Sequence, residues 1–325
     1  MRVLVTGATG FLGKQLVISL IELGYDVVAL GRNPLKLKEL ERLKCKPHSI
    51  DLLNKNDLKN LSISIDIVFH CAAFSSPWGK RKDFIEQNVN ATKNILDWSI
   101  EHNAKRFIYV SSSSVYFDFR DKFMISEDNN IAKNFANPYS ESKFLGEQLC
   151  QRKEYSDLET IILRPRGIIG EGDTSIIPRI MQVAARGSFP LINNGQALVD
   201  VTYVGNVVEA ILLAAKTEHI GGQCFNISND QPMTVKALLN ITFDALDYSI
   251  KYKNIPYNLI DSVAWALESW SKVTTKKEPI ITRYGVGLIT FSQTLDISKA
   301  QKLLTYRPLQ SIEQGIQHYV QGQED

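Results

Sequence analysis

The first thirteen residues constrain the chain most: an apolar run, Val3 to Thr6, leads without a spacer into Gly7, Gly10 and Gly13. Gly7 permits a tight turn, Gly10 lets backbone approach a ligand, and Gly13 allows a following helix to pack against the strand. The amphipathic run Phe11 to Leu23 supplies that helix. A helix start of this kind offers unpaired amides and a positive dipole end, so the turn predicts a cradle for a pyrophosphate, with Thr9, Phe11 and Leu12 beside the glycines. The spacing is G-x-x-G-x-x-G, which by itself is compatible with an ordinary strand-to-helix turn.

Further apolar runs at Val27–Leu30, Ile67–His70, Phe107–Ser111 and Ile161–Leu163 are separated by helix-length stretches, the pattern of a parallel sheet. Phe84 to His102 reads as one such helix, and Asn137-Pro138 reads as an N-cap followed by proline at the first helical position. Beyond Pro165, glycines and prolines loosen the pattern. A strand and helix return at Val199 to Ala215 and are expected to fold back onto the sheet. The predicted division is residues 1–165 plus 199–227 for a dinucleotide-binding unit, and 166–198 plus 228–325 for a substrate lobe.

Composition removes several functional classes. With 44% hydrophobic residues, 22% charged residues and a net charge of +2, nothing favours nucleic-acid binding or disorder. The 4 cysteines form no C-x-x-C pair and the 5 histidines are scattered, so spacing assembles no metal site. A strand beginning at residue 2 leaves no room for a signal peptide, and no apolar run reaches the roughly 20 residues that span a bilayer; a soluble, cytoplasmic protein is expected.

Tyr139 and Lys143 stand at i and i+4 on a predicted helix, one turn apart on one face. A phenol is a poor acid–base group near neutrality, and an adjacent ammonium favours its ionised form. Four serines, Ser111 to Ser114, end the preceding strand, at the edge where open parallel sheets bind ligands.

Taken in order, Thr6-Gly-x-x-Gly10-x-x-Gly13, Asp51-Leu52, His70-Cys-Ala-Ala73, Asn88-Val-x-Ala-Thr92, the serine run, Tyr139-x-x-x-Lys143 and Leu163-Arg-Pro165 resemble the extended short-chain dehydrogenase/reductase superfamily from end to end. The resemblance implies a Rossmann-type, doubly wound parallel α/β sheet with a smaller, discontinuous C-terminal substrate lobe. It implies that Tyr139 is the general acid–base, that Lys143 tunes it and holds the nicotinamide ribose, and that Ser112 binds the carbonyl, with Ser113 the competing assignment. Asp51 and Leu52 would contact the adenine, Cys71, Ala72 and Ala73 would line the cofactor with Pro165, and Asn88 would help to anchor it. A homodimer through the helices starting near Phe84 and Pro138 is also implied.

The second strand ends Ala29-Leu30-Gly31-Arg32. Gly31 stands where NAD-preferring members carry a carboxylate, and Arg32, with Lys36, can pair with a 2'-phosphate. NADP(H) is therefore the expected cofactor, with NAD(H) still usable. The other reading makes Arg32 a solvated loop residue that does not discriminate.

The groups that sugar-nucleotide members resemble one another in carrying are mostly missing. Ser113 and Ser114 replace an acidic pair, Gly167 an Asn, and Val199 an Arg that hold or activate such substrates. Ser76-Pro-Trp-Gly79, Gly170-x-Gly172-Asp173, Ile177-Pro-Arg179, Asp200-Val-Thr-Tyr203 and the closing Leu295 to Pro308 segment are similar instead to the 3β-hydroxysteroid dehydrogenase-like branch, with its sterol dehydrogenases and reductases of long-chain 2-alkyl-3-oxo acids. This implies reversible oxidation of a secondary alcohol on an apolar small molecule. A nucleotide-sugar epimerase or reductase and a non-catalytic cofactor sensor are the alternatives. Arg166 and Asn206 depart from the pattern without explanation. The helix Leu259 to Trp270 groups Leu259, Val263, Ala266, Leu267 and Trp270 on one face, with Trp265, Asp261 and Glu268 opposite. It reads as an ordinary core-facing helix; the alternative is a lid or a peripheral membrane contact helped by Lys272, Lys276 and Lys277.

Overall fold

The computed structural model describes residues 1–274 and 278–323. Seven parallel strands form the main sheet: β1 (Arg2–Thr6), β2 (Asp26–Gly31), β3 (Lys46–Ser49), β4 (Ile67–His70), β5 (Arg106–Val110), β6 (Glu159–Pro165) and β7 (Cys224–Ile227), in the order β3-β2-β1-β4-β5-β6-β7. The order reverses between β1 and β4, whose register sets Thr6 opposite His70. A crevice therefore opens at the carboxyl ends of these two strands, where doubly wound sheets take their ligands.

The helices that carry the site are α1 (Phe11–Glu22), α2 (Ala91–Glu101), α3 (Pro138–Cys150) and α4 (Val204–Lys216). Apolar residues of α1 and α4, among them Leu16, Leu20, Val207 and Ile211, close one face of the sheet. Ile95, Leu96 and Trp98 of α2 and Leu149 of α3 close the other. The central strands are thus buried on both sides, which is why β1 and β4 read as continuous apolar runs rather than alternating ones.

The segment from Val199 to Ile227 distributes its parts differently from the expectation that it returns whole to the main sheet. Helix α4 packs on the sheet and β7 extends it, but Leu198–Val199 joins a four-stranded sheet with Met233–Thr234, Gln293–Leu295 and Lys122–Ile125. Thr202–Tyr203 pairs with Ile168–Ile169. A separate apolar cluster, including Ile177, Val199, Leu239, Phe243 and Ile316, holds this second group together.

The helix at Tyr257–Val273, α5, corrects another expectation. Its buried positions are Ile260, Ala264 and Ser271, while Leu259, Val263, Leu267 and Trp270 are exposed. A narrow apolar strip, Ile260 and Ala264, packs with Ile192 and Val286, and the polar side adds to it: Asp261 takes Arg283 Nε and Nη2 at 2.8 and 3.0 Å, and Glu268 accepts the Arg283 amide at 2.7 Å. These bonds fix α5 to α6 (Arg283–Thr290), leaving the larger apolar residues outside. Lys276 and Lys277 lie outside the described residues. Among those residues no helix is long and apolar enough to cross a membrane.

Candidate active site

The glycine turn is built as its residue types demand. Gly7 adopts φ +67°, and a Cβ there would come within 2.7 Å of the Ala72 backbone; one on Gly13 would lie 2.1 Å from the Gly7 carbonyl oxygen. The segment after β4 and the start of α1 can approach so closely only because both side chains are missing. Gly10 is the N-cap of α1 and offers no side-chain cap, and the first intrahelical bond is Lys14 N–H to the Gly10 carbonyl at 2.9 Å. The amides of Phe11, Leu12 and Gly13 precede that bond and face the switch-point crevice, so the cradle fits a pyrophosphate. No ligand need be assumed to see the fit.

A buried chain of hydrogen bonds stiffens the cradle floor. Ala72 N–H donates to Thr6 Oγ1 at 3.2 Å, Thr6 and His70 Nδ1 are 2.7 Å apart, His70 Nε2 and Thr92 Oγ1 are 2.9 Å apart, and Thr92 donates to the Asn88 carbonyl at 2.5 Å. Because Thr92 gives its proton to that carbonyl, its oxygen must accept from His70, which assigns the proton to Nε2 and leaves Nδ1 to accept from Thr6. Burial, helped by the Lys143 charge, pushes His70 down to about 3, consistent with a neutral ring. Asn88, in a π-helical segment (Ile85–Asn90), uses its whole side chain locally: Oδ1 accepts from Phe74 N–H at 2.6 Å, and Nδ2 donates to the Phe74 carbonyl and to Ser142 Oγ at 3.2 and 2.8 Å. It thereby clamps the Cys71–Ala73 wall to α3. Asp51 accepts the Leu53 amide at 3.0 Å, and Asn94 donates to the Leu52 carbonyl at 2.9 Å, so both belong to a braced turn beyond β3.

Around α3 the structure brings Ser112, Tyr139 and Lys143 into one neighbourhood. Asn137 Oδ1 accepts the Ser140 amide at 2.8 Å and caps the helix, with Pro138 at its first turn. Ser112 caps the short 3-10 turn Ser113–Tyr116 and lies near the Tyr139 hydroxyl, where it favours the ionised phenol; Ser113 is buried in that turn. Lys143 is only 2% exposed, and its Nζ sits 4.5 Å from the centroid of the Tyr109 ring. Gly146 makes this possible, since a Cβ there would strike the Tyr109 hydroxyl at 2.2 Å.

The electrostatics differ from the simple picture of an ammonium lowering a phenol. Burial raises Tyr139 above its ordinary value, Tyr284 pushes the same way, and Ser112 opposes them. Lys143 is itself lowered to about 8 by burial, with Glu147 the first of the groups that favour its charge. Stationed over Tyr109, Lys143 is not among the charges that dominate at Tyr139. Cys71, half-buried beside it, is pushed up to about 12 by burial and is no nucleophile at neutral pH.

Several residues were not singled out by sequence reasoning. Glu147, one turn beyond Lys143, accepts Arg164 Nε and Nη2 at 2.9 and 2.6 Å and the Ser111 hydroxyl. Arg164 continues to the Tyr116 hydroxyl, which donates to Asn226 at 3.0 Å. The i+4 spacing from Lys143 was the available signal for Glu147. Tyr284 of α6 reaches Tyr139 from the far end of the chain and packs 5.8 Å from Phe117; no local pattern marks it.

On the cofactor side, a Cβ on Gly31 would lie 2.8 Å from Thr9 Cγ2, so no carboxylate fits there without moving Thr9. Arg32 is exposed and donates to Gln87 at 2.8 Å; Lys36 is exposed nearby. Pro165 is buried at the end of β6.

A family model described as the NAD dependent epimerase/dehydratase family matches residues 3–228. A 2-alkyl-3-oxoalkanoate reductase of Shewanella oneidensis is 32% identical, over 96% of this chain and 84% of its own. A decarboxylating sterol-4-alpha-carboxylate 3-dehydrogenase of Mus musculus is 31% identical, over 98% and 90%. Among solved structures, a UDP-glucose 4-epimerase of Thermotoga maritima superposes with a TM-score of 0.80 at 23% identity, over 100% of this chain and 99% of that one.

Proposed function

Because the chain belongs to the NAD-dependent epimerase/dehydratase family of extended short-chain dehydrogenases/reductases, on its 3β-hydroxysteroid dehydrogenase-like branch, we propose that it interconverts a secondary alcohol and a ketone on an apolar substrate with NADP(H). The single observation that carries this reading is the convergence of Ser112, Tyr139 and Lys143 at the crevice beside the glycine cradle. A bound nicotinamide supplies the hydride to the carbonyl carbon, or accepts it in the reverse direction. Ser112 then hydrogen-bonds the substrate oxygen, and Tyr139 donates its phenolic proton to that oxygen, leaving the alcohol; in reverse Tyr139 takes the proton. Burial holds the phenol above its ordinary ionisation range and so keeps the proton in place at neutral pH, which suits the reducing direction. Lys143, buried over Tyr109, would hold the nicotinamide ribose.

Two features support an apolar substrate over a nucleotide sugar. A Cβ on Gly167 would press Ile176 at 3.0 Å, and Val199 is buried in an apolar cluster, so neither position offers a polar group to a diphosphate. The two relatives are named for substrates that carry a carboxylate on the carbon next to the one that reacts. The NADP preference rests on the tight Gly31–Thr9 contact and on Arg32 and Lys36. A homodimer through α2 and α3 belongs to the same proposal.

The test is Tyr139→Phe with purified protein, NADPH and a panel of apolar ketones. NADPH binding should persist while turnover falls by about 10²–10⁴-fold, the usual worth of a positioned acid–base. Turnover near that of the wild type would sink the assignment.

A further inference from the structure

Three arginines in the neighbourhood of the sheet are almost fully buried, and only two of them are paired. Arg106 meets Glu159 and the carbonyls of Ala214 and Ala215; Arg164 meets Glu147 and Tyr116. Arg166, 7% exposed, follows Pro165 at the carboxyl end of β6, the edge of the sheet where Ser112 also lies. Its backbone is pinned, N–H to the Ile227 carbonyl at 2.9 Å and carbonyl to Thr202 Oγ1 at 3.0 Å. Its guanidinium has no hydrogen bond or ion pair among the described residues, and Nε is a buried donor without a partner. Asp200 attracts it from beyond ion-pair distance, with one carboxylate oxygen committed to the Leu295 amide at 2.6 Å. Its other ionisable neighbour is the Tyr284 phenol, which also acts on Tyr139 and which burial keeps neutral. From Tyr284 a string of aromatic rings, Phe117, Phe119, Phe291 and Tyr257, runs outward with centroids 5.0 to 6.4 Å apart.

A buried, unpaired guanidinium is costly, and a planar fork of donors matches a carboxylate in two parallel hydrogen bonds. We propose that Arg166 binds the carboxylate of the substrate, so that the site takes an ionised 3-hydroxy or 3-oxo acid with an apolar remainder and rejects its ester. This rests on the alcohol–ketone reading above and names the substrate class within it. With the carboxylate on Arg166, the neighbouring carbinol carbon comes to Tyr139 and the apolar portion runs along the aromatic string. In oxidation, run at alkaline pH so that the Tyr139 phenolate is populated, the carbinol hydride moves to the nicotinamide and the hydroxyl proton to that phenolate, leaving the carboxylate unchanged.

The experiment compares a long-chain 2-alkyl-3-hydroxy acid with its methyl ester, each oxidised with NADP⁺, in the wild type, Arg166→Gln and Arg166→Lys. The wild type should favour the acid by about 100-fold or more in kcat/KM. Arg166→Gln should bring the two within a few fold of each other, through KM for the acid, with the ester nearly unchanged; Arg166→Lys should restore part of the gap. The acid should raise the thermal midpoint of the wild type and not that of Arg166→Gln, whose own midpoint should equal or exceed that of the wild type. Equal losses on acid and ester, no acid preference in the wild type, or a marked fall in the midpoint of Arg166→Gln would overturn the proposal. Failure of the alcohol–ketone reading is distinct: the wild type then oxidises neither compound, and the acid-specific thermal shift still decides the role of Arg166.

Discussion

The buried Glu147–Arg164 pair offers the sharpest test of how the site is held. The side chains are 2% and 7% exposed, and two Arg164 N–H groups reach the Glu147 carboxylate at 2.9 and 2.6 Å. Removing one partner strands the other as a buried charge, which costs about 3–5 kcal/mol, whereas replacing both with apolar side chains of similar volume is often nearly neutral. Glu147→Leu alone and Arg164→Met alone should each lower the thermal midpoint by roughly 6–10 °C, at about 2 °C per kcal/mol for a chain of this size. The double variant should lie well above the sum of the single losses, with a coupling of about 2 kcal/mol or more. Thermal and urea unfolding of the four proteins, monitored by circular dichroism, make the measurement. If the single losses simply add, the two residues do not act as a pair and the reasoning fails. The pair also touches the chemistry, because Glu147 is the first group favouring the charge on Lys143. In the double variant Lys143 should therefore titrate below about 8, and the alkaline limb of the pH–rate profile should move toward neutrality.

Two further outcomes follow from single residues. His70 is held at about 3 by burial, against an ordinary 6.5, so its neutral form contributes stability that is present above pH 6.5 and is lost as the pH falls toward 3. Between pH 7 and pH 5 the wild type should lose about 2 kcal/mol more than His70→Gln, from 1.36 kcal/mol per pH unit below 6.5; equal losses would refute the buried neutral ring. Arg32→Ala should lower the NADPH-to-NADH ratio of kcat/KM about 10–100-fold, the worth of one charge-assisted hydrogen-bonding group, and an unchanged ratio would assign Arg32 to its contact with Gln87 alone.

What could be read from the sequence divides along physical lines. Strands β1, β2, β4, β5 and β6 are apolar on both faces, so composition alone marks them. Strand β3, Lys-Pro-His-Ser, sits at the edge of the sheet and is mostly exposed, so nothing hydrophobic announces it. Lys122–Ile125 has the same difficulty, with only Ile125 buried. Helix α5 misled because its hydrophobic count exceeds what its neighbours cover. The docking face is set in part by Asp261 and Glu268 reaching Arg283, an interaction invisible until α6 is placed. The glycines, the Asn137 cap and the Tyr139–Lys143 spacing act within a few residues and were legible. Tyr284 and the Arg164–Glu147 link depend on contacts across the chain and were not.

Closed hydrogen-bond networks mark the scaffold of the site. His70, Thr6, Thr92 and Asn88 all have partners inside the protein, and so do Glu147, Arg164 and Ser111. Such closed networks fix the positions of β1, β4, β5, β6 and α3, and changing a member should be felt first as lost stability. The amides of Phe11, Leu12 and Gly13 and the guanidinium of Arg166 have no such partners among the described residues. A folded chain keeps donors in that condition at a cost in stability that a ligand can recover, since binding only to the folded state stabilises it by mass action. The open donors are of the kinds that phosphates and carboxylates require. On the reading proposed above, the amide cradle takes the anionic part of a dinucleotide and Arg166 the anionic part of a substrate. A reacting carbon brought to Tyr139 by both anchors would be oriented before any proton moves.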